Sequence, residues 1–473
     1  MKSIFIFRRD YRIDDNIGLI ECLKASDSVL PIFIFTPEQS HKKENKYFSD
    51  NSFQFLVESL KELDNTLPHG LLILQEDNVK ALKDLKKVYD FNAIYTNRDY
   101  TPYAIDRDEE IRKYCENDAT IEFHNEFEDY LLMPLGKFLK ADGKPYTKYT
   151  PFKNNAYKMD FPKPIKCNTT LLKKFENVKS LKSKVKCVAT ENSIEKLYIN
   201  NKHIIYHGGR VEALKRLSKM SDFKNYENDR NILSKNTTLL SAYINFGCVS
   251  IRECFWTIAD KLGKQHGLNN QLLWREFWYY IGFYFPHVIN YKGKNKNMWT
   301  EYDGIKWKNN QKIFEAWCEG RTGFPAVDAG MRELNETGYM HNRARLITSG
   351  ILVKNFGIDW RWGEEYFSQK LVDINAPVNN GNWQWSASTG ENKGEYYRIM
   401  NPWTQSEKFD KNAEYIKKWV PELKDVAPKD IHHWGETYKN EKYKDINYPK
   451  PIINYGAEMR AEIMDMFKSG MKK

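Results

Sequence analysis

The first 255 residues contain no tryptophan; all thirteen fall between Trp256 and Trp434. An indole offers a flat face that stacks on a base or ring, and it passes an electron when oxidised. The amino-terminal half therefore has none of this chemistry, and labour is divided along the chain. Other absences narrow the class further. No apolar run approaches the roughly 20 residues of a membrane span. The seven cysteines form no CxxC pair and no cluster with histidine, which supports neither a disulfide framework nor a metal site. An odd number of thiols in that pattern points to a reducing, intracellular setting. There is no tandem repeat and no low-complexity tract. Ser3 to Phe7 runs straight into charge, unlike a signal peptide. The apolar pattern persists to Met466-Phe467, so no extended carboxyl-terminal tail is read.

What is present is globular. A length of 473 residues is too great for one ordinary core and predicts two domains. Hydrophobic residues at 41%, with 14% aromatic, exclude a disordered chain. The net charge of +10 suits a polyanionic partner, because each neutralised phosphate releases counterions. Lysine-rich soluble proteins share that charge, so it does not identify the partner.

The first ~130 residues alternate in an α/β rhythm. Strand-like runs are Ser3–Phe7, Val29–Phe35, Leu71–Gln75, Ala93–Tyr95 and Thr120–Phe123. Ser52–Leu63 and Val79–Tyr89 are the clearest helices between them. Runs without alternation predict a doubly wound parallel sheet covered on both faces, with ligand loops at the carboxyl ends of its strands. Phe7-Arg8-Arg9-Asp10 and Asn97-Arg98-Asp99-Tyr100 fall at that edge. From 131 to 205 the pattern dissolves, and Lys163 to Lys186 carries eight lysines. This reads as a solvated connector wrapping the surface, with a basic DNA-binding tail as the alternative. Helical periodicity dominates from 206 to 473. The expected organisation is thus an α/β domain over 1–130, a connector over 131–205 and an all-α domain over 206–473.

Three constellations stand out in the helical half. Asn236-Thr237-Thr238-Leu239-Leu240-Ser241 opens a helix, where hydroxyls either cap the backbone or help to bind a phosphate. In Gln271-Leu272-Leu273-Trp274-Arg275-Glu276-Phe277-Trp278, positions Gln271, Trp274, Arg275 and Trp278 share a helix face. That face lines a cavity for an anionic or aromatic ligand, or it belongs to a core helix with one internal ion pair. His341-Asn342-Arg343-Ala344-Arg345-Leu346 begins a third helix, with Asn342, Arg345 and Leu346 on one face and Arg343 elsewhere. An Arg345–Asp373 pair would fix the loop Asp373–Gly381 against it. That loop leads to Trp383-Gln384-Trp385. Most of the thirteen tryptophans are read as core residues.

Together these motifs closely resemble the photolyase/cryptochrome flavoprotein family. The resemblance covers essentially the whole chain, from Phe7-Arg8-Arg9-Asp10-Tyr11-Arg12 through Gly320-Arg321-Thr322-Gly323-Phe324-Pro325 to Arg398-Ile399-Met400-Asn401-Pro402. It is strongest from His341 to Asp410. It implies an α/β antenna domain joined to a helical domain that holds FAD. Tyr226, Thr237, Thr238, Leu240 and Ser241 then look like contacts to the pyrophosphate and ribityl chain. Arg345 and Asp373 look like the buried pair beside the flavin, with Asn375 nearby. Asn379 is similar to the photolyase residue facing the flavin N5, where plant cryptochromes carry aspartate. Trp383, Trp360 and Trp307 align with the family's electron-transfer chain. Trp274 and Trp385 align with the walls of its lesion pocket, beside Gln271, Trp278 and Leu346. Arg230, Asn342, Arg343 and Arg398 look like contacts to ultraviolet-damaged DNA, bound without sequence preference by a monomer. Asn97–Asp108 is either a second chromophore site, for a folate or a deazaflavin, or a charged surface loop.

Departures from the family pattern bear on the lesion. The (6-4) photolyases place histidines at the positions of Asn342 and Leu346, and without them proton transfer has no obvious donor. The cyclobutane pyrimidine dimer is therefore the expected substrate; a (6-4) photolyase and a non-repairing photoreceptor are the alternatives. Against it, Gln271 stands where bacterial-type enzymes carry glutamate. Asn375 stands where many relatives have a second aspartate.

Overall fold

The computed structural model describes residues 1–393 and 399–470. Five parallel strands form its sheet, β1 (Lys2–Ile6), β2 (Ser28–Phe35), β3 (Leu72–Gln75), β4 (Ala93–Asn97) and β5 (Glu122–Phe127), in the order β3-β2-β1-β4-β5. All five predicted strands are present, with the last shifted towards the carboxyl end. Successive residues of each strand point to opposite faces. Phe5, Phe7 and Phe33 enter one core, while Ile4, Ile6, Ile32 and Ile34 enter the other. The second core holds α3 (Asn78–Lys86) and α4 (Pro102–Glu116). The first holds α1 (Ile17–Ala25) and α2 (Asp50–Thr66), then runs on without a break into the helical half. Local chemistry sets the helix starts. Asn16, Ser49 and Thr101 each accept a backbone N–H of their own first turn.

Residues 131–205 are not a solvated spacer. The helix α5 (Tyr149–Ala156) buries Tyr149, Phe152 and Ala156, and Val178, Leu181 and Val185 cover the far face of the sheet. Even the lysine run is partly structural. Lys174 Nζ donates to the carbonyls of Leu23 and Ser26 at 2.8 and 2.7 Å, where the macrodipole of α1 favours a cation.

The helical half contributes α6 (Ile251–Leu262), α7 (Gly267–Tyr284), α8 (Asn342–Lys354), α9 (Trp360–Lys370) and α10 (Ala376–Ala387), with shorter helices between them. A buried ion cluster joins the halves. Arg252 on α6 meets Asp15 and Asp129, both at 2.9 Å, and Arg12 meets Asp129 at 2.7 Å; all four side chains are at most 1% exposed. Removing one member would strand a buried charge. Helix α10 approaches α7 closely because Gly381 has no side chain; a Cβ there would collide with the indole of Trp278. No helix among the described residues is long and apolar enough to cross a membrane.

Candidate functional site

A cavity of about 540 Å³ opens between the Tyr226–Ser241 segment and helices α7, α8 and α10. That size is ordinary for a small-molecule site. Every residue of the described chain that the sequence marked for FAD or lesion contact lies on its wall. Trp360 and Trp307 do not, and Arg398 lies outside the described residues.

One wall is a charged anchor. Arg345 Nη2 donates to both oxygens of Asp373 at 3.0 Å, and Ser241 Oγ donates to the same carboxylate at 2.6 Å. Burial opposes the Arg345 charge, but Asp373 holds the guanidinium above its ordinary value. The hydroxyls of Thr237–Ser241 do not cap the following helix. That helix is one short turn, Ser241–Asn245, without a side-chain cap. Thr237 Oγ1 instead pairs with the Tyr339 hydroxyl at 3.0 Å. Between them Leu239 has a φ of 52°, a left-handed conformation costly to leucine, so the turn that feeds the cavity is strained.

The amides at the start of α10 are held in fixed orientations. Asn379 Nδ2 donates to the Glu364 carbonyl and to Ser368 Oγ, both at 3.0 Å, so its Oδ1 is the end left to accept. Asn375 Nδ2 donates to Asn245 Oδ1 at 2.7 Å and to the Tyr279 hydroxyl at 2.6 Å. Arg9, from the sheet edge, donates to the same hydroxyl at 2.7 Å. Behind Asn379, the Glu364 carboxyl accepts from Asn380 and Asn295 at 2.9 and 2.8 Å. Burial pushes it up to about 7 against those two hydrogen bonds.

The predicted α7 face resolves both alternatives at once. Gln271, Trp274, Arg275 and Trp278 all line the cavity. Arg275 also has internal partners, the Tyr130 carbonyl at 2.8 Å and Glu276 at 3.5 Å. Across the mouth, Asn342, Arg345 and Leu346 share a wall as predicted, but Arg343 lines the same cavity instead of pointing away. Its guanidinium donates to Asn231 Oδ1, a neutral partner, and lies over the Phe409 ring. Burial and then the Arg230 charge lower its pKa. Arg230 pairs with Glu227 at 3.0 Å, whereas Arg343 has no carboxylate partner among the described residues, so its charge favours an anion at the rim. His341, which starts α8, is held down at about 4 by burial and then by Arg345 and Arg343; it stays neutral at pH 7.

The tryptophans separate by depth. Trp383 reaches the cavity and is 2% exposed, and Trp360 is fully buried with Nε1 donating to Asn297 at 2.9 Å. Trp307 is half-buried between two core clusters. The ring neighbours of Trp383 are Phe367 at 4.9 Å and Trp317 at 6.2 Å.

At the strand edge of the α/β half, Asn97–Asp108 is not a charged surface loop. Asn97, Asp99, Tyr100, Arg107 and Asp108 are buried. Arg9 pairs with Asp99 at 2.9 Å and Arg107 with Asp108 at 2.7 Å. Sequence reasoning missed Asn231, Asn245, Tyr279 and Tyr339, which orient the wall. No motif marks them, and each partner lies far away in the chain.

A family model described as DNA photolyase matches residues 3–169, and one described as the FAD binding domain of DNA photolyase matches 268–469. The deoxyribodipyrimidine photo-lyase of Buchnera aphidicola subsp. Baizongia pistaciae is 34% identical, covering 96% of this chain and 95% of its own. That of Escherichia coli K12 is 32% identical, covering 98% of each. Among solved structures, a Sulfolobus tokodaii photolyase containing two FAD molecules is similar with a TM-score of 0.85 and 38% identity, over 99% of this chain and all 100% of that one. A Synechocystis cryptochrome shares the fold with a TM-score of 0.86 at 24% identity, over 98% and 99% of the two chains.

Proposed function

The chain belongs to the DNA photolyase family and is an FAD-binding DNA-repair enzyme, and we propose that its substrate is the cyclobutane pyrimidine dimer, split under blue or near-ultraviolet light. The observation that carries this reading is the joint lining of one cavity. Trp274 and Trp385, the Arg230/Arg343 rim and the Arg345–Asp373–Asn379 wall all face the same space.

The residues fit the cofactor. Hydroxyls of Thr237 and Thr238 suit a pyrophosphate; Tyr226, Leu240 and Ser241, whose hydroxyl proton is given to Asp373, border it. Asn375, Asn379 and the Arg345–Asp373 pair suit the polar edge of a flat heterocycle. Asn379 presents an acceptor oxygen, which matches a protonated, reduced flavin N5. Reduced FAD, when bound, supplies the light-excited electron that the dimer accepts and gives back as its two cyclobutane carbon–carbon bonds break. The protein supplies geometry and charge. A fused dimer must leave the duplex to reach the cavity, and stacking on Trp274 and Trp385 would return ~1–3 kcal/mol per base. Arg230 and Arg343, with Arg398, hold phosphates without reading sequence. Trp383, Trp360 and Trp307 are assigned to refilling the cofactor with electrons. Monomeric action inside the cell accompanies this reading.

No histidine lines the cavity among the described residues. His341 beside it stays neutral and spends Nδ1 accepting the Arg343 N–H at 3.1 Å. This lack of a proton donor favours the cyclobutane dimer over the (6-4) lesion. At the other site, Arg8 Nε and the Tyr100 hydroxyl are buried without a partner among the described residues, which supports a second chromophore bound near Asn97–Asp108.

The test uses reduced holoprotein and oligonucleotides carrying one cyclobutane dimer or one (6-4) product, in blue light and in the dark. Loss of the cyclobutane dimer only in the light is expected. Repair of the (6-4) product alone, or tight binding with no bases restored, contradicts the reading.

A further inference from the structure

We propose that Tyr149, in the connector, is a positioning residue for the fused pyrimidines: it forms the back of the tryptophan wall and fixes Trp274 before DNA arrives. This rests on the assignment of Trp274 to the lesion. The Tyr149 ring lies flat on the Trp274 indole, with centroids 3.6 Å apart and planes 11° from parallel. Two hydrogen bonds fix the tyrosine itself. Its hydroxyl donates to the Asn270 carbonyl of α7 at 2.7 Å, and its backbone N–H donates to Glu391 Oε1 at 3.1 Å. One turn on, Phe152 meets Phe277 at 5.2 Å, anchoring α5 against α7.

Glu391 extends the same support to the opposite wall. The next residue, Asn392, donates from Nδ2 to the carbonyl of Trp385 at 2.9 Å. Tyr149 therefore touches one lesion-facing tryptophan directly and reaches the segment that holds the other. A half-buried indole beside an open cavity would otherwise sample several rotamers, and a ligand stacking on it would have to freeze them. Settling that orientation in advance spares the ligand the cost. The sequence pattern gives no hint of this, since Tyr149 sits in a stretch without periodicity.

The test measures the affinity of FAD-loaded protein for a duplex with one cyclobutane dimer and for the undamaged duplex. Tyr149→Leu removes the flat face and is expected to weaken dimer binding roughly tenfold, the upper end of what an aromatic pair contributes. Affinity for undamaged DNA and the flavin absorption spectrum should not change. Tyr149→Phe keeps the ring and should restore dimer binding. Tyr149→His, with a smaller ring, should lie between and serves if the leucine variant does not fold. An unchanged dimer affinity in Leu or His overturns the proposal. So does equal weakening on both duplexes, or a Phe variant as weak as Leu. Trp274→Ala separates the two levels. If it leaves dimer binding intact, the lesion wall itself is wrong; if it weakens binding while Tyr149→Leu does not, only the role of Tyr149 falls.

Discussion

Gly363 sits inside α9 against Trp383, and its replacement by alanine sets two known effects against each other. In a helix interior alanine is favoured over glycine by about 1 kcal/mol. The Cβ it adds would fall 2.5 Å from Trp383 Cζ3 and 2.7 Å from Cζ2, with Cη2 nearer still. Trp383 is 2% exposed and has Phe367 edge-on at 4.9 Å, so the indole has little room to retreat. Overpacking of that kind costs about 1–3 kcal/mol. The sum for Gly363→Ala is a net loss of about 0–2 kcal/mol, with Trp383 displaced from its place on the cavity wall. All three close atoms belong to the benzo ring that phenylalanine lacks. In a Trp383→Phe background the clash should vanish and the helical preference remain, so the same substitution should stabilise by up to about 1 kcal/mol. Urea unfolding of the four proteins in this double-mutant cycle measures the coupling. An equal effect of Gly363→Ala in both backgrounds would refute the reasoning.

Other consequences follow from the same geometry. Asp373→Asn leaves Arg345 without its anion and keeps one acceptor oxygen where two served Arg345 and Ser241; a loss of about 2–3 kcal/mol is expected, moderated because Arg345 is 24% exposed. Retained FAD after gel filtration should fall with it, and full retention would contradict the anchoring role. Glu364, raised to about 7, keeps a proton that the unfolded chain releases near its ordinary value. Its favourable share is complete below about pH 4.5 and is lost as pH rises through 7. The stability of Glu364→Gln relative to the parent should therefore improve by up to ~3 kcal/mol between pH 5 and pH 8; a gap that does not change with pH would count against a buried proton. Gln271→Glu should raise dimer repair or dimer affinity, and an unchanged rate and affinity would show that the position carries no weight there.

Much of the fold was legible because its signals are local. The runs around Ile4, Ile32, Leu74 and Ile94 are short and apolar without alternation, as a sheet buried on both faces requires. The connector was illegible for the opposite reason. Tyr149, Phe152, Val178, Leu181 and Val185 are scattered among lysines and asparagines, and each is buried by a surface formed elsewhere in the chain. In the site, the α7 face and the Arg345–Asp373 pair were readable from helical spacing and from the need of a buried cation for an anion. Arg343 was misplaced because a helix wheel gives direction but not the curvature of the wall around it. Asn375 illustrates what spacing cannot supply. Its amide is oriented by Asn245 and Tyr279, at separations of 130 and 96 residues.

The tryptophan asymmetry that first set the two halves apart comes down to neighbours on α10. Trp383 is buried and faces the aromatic core, and Trp385 is half-buried on the cavity wall. The most direct measurement compares Trp383→Phe and Trp385→Ala in two assays: light-driven reduction of the oxidised flavin, and dimer repair by chemically pre-reduced protein. Trp383→Phe should lose the first and keep the second, and Trp385→Ala should do the reverse. The same defect in both variants would contradict the division of labour.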